Sequence, residues 1–240
     1  MAIVNTKAIV LSAIKYGDTS LIVRCFTLKE GLKNYLIKGV LSAKRGKLKA
    51  AYFQPLTQLR IEANHNSKGV LNSIKEAHVV HPYKNIYANI FKQTIVLFLS
   101  EILSNSIQEE EENKLLYSYL ENAFIWLDTN DEISNFHLLF LLNLTRHLGF
   151  YPDVSNFDKE GFHLLEGNFT WPSSDKNVIS GSKLIQFKKL IGINFDSIEK
   201  TLFNKNERQQ VLKIIIRYFE LHLGGFRNPK SLSVLETVFS

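Results

Sequence analysis

The spacing of apolar residues changes character once along this 240-residue chain. Up to Val80 they alternate with polar residues or gather in short runs, Ala8 to Leu11, Leu21 to Phe26 and Lys33 to Val40. Thr57 to Ala63 alternates cleanly, which puts Leu59, Ile61 and Ala63 on one face of a strand and Arg60 and Glu62 on the other. Turn residues divide the runs at Tyr16-Gly17-Asp18-Thr19-Ser20, at Glu30-Gly31 and at Asn64 to Gly69, the last closing a hairpin into Val70 to Val80. Five short strands divided in this way predict a small closed barrel rather than a sandwich.

From His81-Pro82 onward the period becomes helical. Tyr83, Ile86, Tyr87, Ile90, Phe91, Leu97, Phe98 and Ile102 share one face, with Pro82 suited to the helix start. The acidic run Glu109 to Glu112 is expected to open a second helix over Asn113 to Leu127, where it complements the positive end. A third runs from Glu132 to Leu148 and stops at Gly149, with Pro152 shortly after. Residues 153–180 break the pattern, and Phe162 to Trp171 reads as two short strands around a Gly turn. Helices resume over Leu184 to Ile191, Asp196 to Phe203 and Glu207 to Leu223. Asn204 with Glu207 offers a capping box for the last of these, and Gly224-Gly225 ends it. The class is α+β, a barrel domain over 1–80 and a helical domain over 81–240 with a hairpin insertion at 153–180.

Composition narrows the options. With 45% hydrophobic and 22% charged residues the chain is neither disordered nor fibrous. The lone Cys25 makes no internal disulfide and no multi-thiolate zinc site; mid-strand in an apolar run, it reads as a buried, inert thiol. Ile133 to Tyr151 is interrupted by Asn135, His137, Asn143, Arg146 and His147, so it is expected to be a core helix and no membrane contact is foreseen. Met1 to Lys7 has no export signal, and a cytoplasmic location is expected.

Charge distribution adds a functional hint. Net charge is +6, yet residues 1–80 hold thirteen basic against four acidic side chains, a local +9, and the remainder is −3. Five of those bases, Lys38, Lys44, Arg45, Lys47 and Lys49, fall within the twelve-residue segment 38–49, which contains no acid and two glycines. Such a loop can lay its cations on successive phosphates of a nucleic acid, binding without sequence preference and weakening steeply with salt. Tyr35, Tyr52 and Phe53 are near in sequence and either offer faces to bases or belong to the barrel core.

Enzyme chemistry finds no support. There is no G-x-x-x-x-G-K-[ST] phosphate loop and no G-x-S-x-G elbow. None of the seven histidines has a ligand-like spacing; His137 and His147, ten residues apart on one helix, project about 80° from each other at ~100° per residue, and structural roles are expected for all seven. No cofactor and no metal are foreseen. In the third helix Phe140, Leu141, Leu144 and Leu148 make an apolar face flanked by Arg146 and His147, which reads either as bundle packing or as a groove for an acidic, apolar tail.

Taken in order, several segments resemble RecO, a bacterial family of recombinational DNA repair. They are Lys7-Ala8-Ile9-Val10-Leu11, Tyr16-Gly17-Asp18 before Leu21-Ile22-Val23, Phe26-Thr27, Gly31, Lys38-Gly39-Val40 and Gln54-Pro55-Leu56. Leu148-Gly149-Phe150-Tyr151-Pro152-Asp153, Tyr218 to His222 and Lys230 to Leu235 continue the series to the end of the chain. The resemblance implies an N-terminal OB-fold, a helical second domain, and binding of single- and double-stranded DNA with annealing of complementary strands. It implies RecR as a partner, RecF in the same pathway, loading of recombinase, and docking of the acidic tail of single-strand-binding protein on the helical domain. On this basis Lys38, Lys44, Arg45, Lys47 and Lys49 contact phosphates, Arg24 and Lys33 are weaker DNA-binding candidates, and Arg146 is the candidate for the partner tail. Many relatives carry a four-cysteine zinc module where this chain has Phe157 to Ser174; with no cysteine there, Phe162, Leu164, Phe169 and Trp171 are expected to hold the hairpin. The rival readings are an RNA-binding OB protein of RNA metabolism and a protein scaffold whose cations merely solubilise it. The expectation common to the DNA reading is that the cations of the first eighty residues point outward in one continuous track.

Overall fold

The structure, a computed structural model, describes residues 2–42, 47–66, 71–108, 110–197 and 202–239. The chain forms two compact units, one of residues 1–129 with 229–231 and the other of 130–228 with 232–240.

In the first unit β1 (Ala2–Tyr16), β2 (Ser20–Thr27), β3 (Gly31–Ile37), β4 (Gln58–His65) and β5 (Ser73–Val79) form one antiparallel sheet in the order β3-β2-β1-β4-β5. β1 is far longer than the Ala8 to Leu11 run because it is used twice: residues Ala2 to Ile9 pair with β4, and Ala8 to Tyr16 pair with β2. A bulge between Val10 and Ser12 lets it bend from one partner to the other. Backbone bonds from the Leu36 N–H to the Asn72 oxygen (2.8 Å) and from the Asn72 N–H to the Asn34 oxygen (3.0 Å) bring the ends of the sheet together, closing a five-stranded barrel of OB type. Leu59, Ile61 and Ala63 point inward as their alternation predicts, joining Val10, Val23, Cys25, Tyr35 and Ile37 in the core, while Arg60 faces water.

The helices of this unit are α1 (Ile90–Ser106) and α2 (Lys114–Thr129). α1 begins at Ile90, not at Pro82, although Tyr83, Ile86 and Tyr87 have helical spacing. Their backbone is committed elsewhere: both oxygens of the Asp128 carboxylate accept N–H bonds from Lys84, Asn85 and Ile86 at 2.8–3.0 Å, and the Tyr83 and Tyr87 hydroxyls donate to the Leu56 and Pro55 carbonyls. Asn89 then caps α1, its side chain accepting from the Phe91 and Lys92 N–H groups. Glu110 to Glu112 lie just ahead of α2, whose first turn holds no acid. Glu109 falls outside the described residues, and Asn113 supplies a cap bond from the Leu116 N–H at 2.9 Å.

In the second unit α3 (Phe136–His147) is apolar on nearly every side and buried accordingly. The insertion contains three short strands, β6 (Gly161–His163), β7 (Asn168–Thr170) and β8 (Val178–Ser180), ordered β7-β6-β8. The expected two-strand hairpin is thus completed by a third strand. A Cβ at Gly161 would stand 2.9 Å from the Thr170 carbonyl oxygen, so only glycine fits there. Phe162 packs on Phe169 and Phe187 with ring centroids 5.0 Å apart, and Leu164 is buried. Trp171 does not join them; it is 66% exposed, just past the end of β7. α4 (Gly181–Lys188), α5 (Lys205–His222) and α6 (Leu232–Val238) complete the unit, with a short 3₁₀ turn at Phe195–Ser197; residues 198–201 of the helical piece expected over Asp196 to Phe203 lie outside the described residues. The Asn204–Glu207 capping box is present, and Gly225 leaves the helix path at φ 77°.

Candidate nucleic-acid interface

The basic loop leaves β3 at Lys38, which is exposed. Its near side is anchored on the β1–β2 turn: the Leu41 N–H donates to the Thr19 oxygen at 2.9 Å, and the Ser42 hydroxyl donates to the Gly39 oxygen at 2.7 Å. Gly39 takes φ 68°, a left-handed conformation that starts the reversal. Lys44 and Arg45 lie outside the described residues. On the far side Lys47 is exposed and stands 3.3 Å from Glu76 across open solvent, a contact of little energetic weight. Lys49 is exposed with its Nζ 6.0 Å from the Tyr52 ring centroid, at the outer limit of a cation–π contact. Among the described residues neither Lys38 nor Lys49 has a carboxylate partner, so the loop keeps most of its positive field.

The other two DNA-binding candidates are placed differently. Arg24 and Lys33 sit on neighbouring strands at adjacent pairs, Arg24↔Asn34 and Cys25↔Lys33, and so point to opposite faces of the sheet. The Arg24 guanidinium is half-buried and donates from Nη2 to the carbonyl of Ile107, the residue that ends α1, at 3.0 Å. Burial lowers its pKa, and its Nε has no hydrogen-bond partner among the described residues. A cation at a helix C-terminus answers the negative end of the dipole, which gives Arg24 a structural task. Lys33 is partly buried at one end of the barrel and pairs with Glu110 at 3.3 Å. Arg24 and Lys33 therefore do not face the same way, and each is engaged within the unit. Lys7 is likewise taken up by Glu121 at 2.8 Å.

Base stacking also narrows. Tyr35 and Phe53 belong to the core, and Tyr52 packs half-buried against it. The Tyr35 hydroxyl meets His65 Nε2 at 2.9 Å, while His65 Nδ1 meets the Glu30 carboxylate. Burial pushes the Cys25 thiol up to about 12, so it stays protonated and inert. Among the described residues no group of three or more His, Cys, Asp or Glu side chains is placed to hold a metal ion, and no helix is long and apolar enough to cross a membrane.

Pairing register reveals one basic row that linear reading passed over. Lys7, Arg60 and His78 stand side by side across β1, β4 and β5. Arg60 is exposed without an ion pair among the described residues, but its neighbours in space are eighteen or more positions away in sequence.

In the helical unit Phe140, Leu141 and Leu144 are fully buried, so that face of α3 is bundle packing and not an open groove. Arg146 is exposed and lies over the Tyr151 ring, 4.3 Å from its centroid. A different groove of about 220 Å³ runs beside α5, floored by Leu212, Ile216 and Leu232 and edged by Lys213 and Arg217. Arg217 Nη1 holds Glu220 at 3.0 Å and Asn228 holds its other oxygen at 2.8 Å, which neutralises that carboxylate and, among the described residues, leaves Lys213 without an ion pair. The i, i+4 spacing of Lys213 and Arg217 was visible in the sequence; the residues after α5 that close the groove were not.

Residues 1–83 match the family model described as Recombination protein O N terminal, and residues 87–232 match Recombination protein O C terminal. Curated relatives align from end to end. DNA repair protein RecO of Flavobacterium psychrophilum is 48% identical over 237 residues, covering 99% of both chains. That of Christiangramia forsetii is 46% identical over 237 residues with the same coverage, and that of Bacteroides fragilis 37% identical over 239 residues, covering 98% of both.

Proposed function

This chain belongs to the RecO family of DNA-repair proteins, and from that membership we propose that it is a non-enzymatic recombination mediator that binds DNA and anneals complementary strands. The observation that carries the reading is the barrel's basic loop, which holds five cations and no acid and keeps Lys38 and Lys49 free of ion pairs among the described residues. Two DNA strands repel each other through their phosphates. Cations laid along both lower that repulsion and release counterions, while base pairing itself supplies the specificity. No nucleotide, metal or cofactor is needed for such a step. Partnership with RecR, implied by the family resemblance, and the cytoplasmic location expected from the sequence belong to the same proposal.

The helical unit is proposed to receive the acidic tail of single-strand-binding protein. Its α5 groove supports this better than the surroundings of Arg146, because it combines an apolar floor with an ammonium that has no ion pair among the described residues. A volume below the ~300–1,000 Å³ of small-molecule pockets suits one apolar side chain of a peptide.

The test is strand annealing and oligonucleotide binding across a salt series for the wild type and for a combined Lys44→Ala, Arg45→Ala, Lys47→Ala, Lys49→Ala variant. With four phosphate contacts gone, the slope of log K against log salt on single strands is expected to shrink by about 3, at ~0.7 per contact. An unchanged slope and unchanged annealing would remove the loop from the mechanism. RNA of equal length serves as competitor, and tighter binding of RNA would favour a role in RNA metabolism instead.

A further inference from the structure

One positive charge ties the insertion of the helical unit to α4. Lys188, the last residue of α4, donates from Nζ to the carbonyl oxygens of Phe157 at 2.5 Å and Lys159 at 2.8 Å. The same ammonium lies 4.8 Å from the ring centroid of Phe157 and 5.1 Å from that of Phe169. Two carbonyl dipoles and two ring faces thus converge on a single cation, drawn from the loop before β6, from β7 and from α4. Otherwise the loop is held by the Asp153 N–H on the Gly167 oxygen at 2.8 Å and by the Phe157 ring, edge-on to Phe169 with centroids 5.0 Å apart. Residues 154–158 are exposed, and the backbone bonds from the Phe157 N–H to Val154 and from the Lys159 N–H to Asn156 are local turns that close nothing over distance. Segments of this kind open easily unless a specific contact pins them.

We propose that the Lys188 ammonium is the insertion's internal structural cation, filling with a side-chain charge a site made of carbonyl oxygens and aromatic faces, and that this charge keeps segment 154–160 closed on α4. Charge-assisted hydrogen bonds and cation–π attraction both vanish when the nitrogen is removed, while the hydrocarbon stem still packs. Lys188→Met therefore separates charge from bulk, and Lys188→Arg restores the charge with a fork able to reach two carbonyls.

The measurement is amide hydrogen exchange of the full chain, supported by trypsin cleavage after Lys159 mapped by mass spectrometry. In Lys188→Met the Phe157 and Lys159 amides are expected to exchange about tenfold faster or more, given the strength of charged hydrogen bonds, with cleavage accelerated in step. In Lys188→Arg both readouts stay near wild type. Amides of β1 and β4, in the other compact unit, provide the internal standard and should not change. Wild-type protection in Lys188→Met would overturn the proposal. So would equal loss in the Arg variant, or acceleration spread evenly over the whole chain.

Discussion

His137 shows how far one side chain can depart from its ordinary behaviour. Burial within α3 and the neighbouring Arg208 charge push its imidazole down to about 3. The folded value lies below the unfolded one of about 6.5, so the folded state holds the ring neutral where the unfolded chain takes up a proton. Its contribution to stability is complete above about pH 6.5 and is lost as pH falls from there toward 3, at up to about 1.4 kcal/mol per pH unit. Urea denaturation of His137→Phe between pH 7 and 4 should show a flatter dependence than wild type; parallel curves would refute the assignment. A helical period was enough to place His137 on α3, but its surroundings come from α5 and α6, so its titration was not legible. Trp171 fails in the opposite direction. Its aromatic character suggested hairpin core, yet Phe162, Leu164 and Phe169 fill that space and it stays outside.

Elements are set by local signals and then trimmed by distant ones. α1 carries helical spacing from Tyr83 onward, but the Asp128 carboxylate captures three N–H groups of the preceding segment, so the helix starts only at Ile90, after the Asn89 cap. The other end of α1 is finished by Arg24 from β2. Replacing Arg24 with Ala is expected to cost about 1–2 kcal/mol, the weight of a charged hydrogen bond at a helix end, with little effect on the salt slope of DNA binding. Urea unfolding and a salt titration of the same variant distinguish the outcomes. Full stability with a much smaller slope would return Arg24 to the DNA interface. The capping box at Asn204 and the stop at Gly225 were read correctly because every atom involved lies within a few residues.

Across the whole molecule, the change from strand to helix pattern near residue 80 and the limit of the first compact unit near residue 129 are different places. α1 and α2 stay with the barrel through Lys7–Glu121, the Gln58 amide on the Glu121 carbonyl, and the stacked Phe26 and Tyr117 rings. DNA contact and tail contact are assigned to different units, so they should be separable. A Lys213→Glu, Arg217→Glu variant is expected to weaken binding of a synthetic acidic tail peptide at least tenfold while DNA affinity holds, as expected when a cation rim meets an acidic peptide. Arg146→Glu should have the smaller effect on the peptide, and the reverse ranking would move the site back to α3.

Read alone, the sequence determined that a basic barrel precedes a helical region, that Leu59, Ile61 and Ala63 face inward, that Cys25 is inert, and that cations crowd the stretch from 38 to 49. Each of these depends on neighbours in sequence, through period, turn chemistry or local charge. Tertiary structure alone decided that Arg24 closes a helix, that Lys33 and Lys7 are neutralised by Glu110 and Glu121, that Tyr35 and Phe53 are core, and that α5 rather than α3 carries an open groove. A cation is free or paired according to which carboxylates arrive within about 4 Å. Those carboxylates arrive from 77 and 114 residues further along, a separation over which periodicity says nothing.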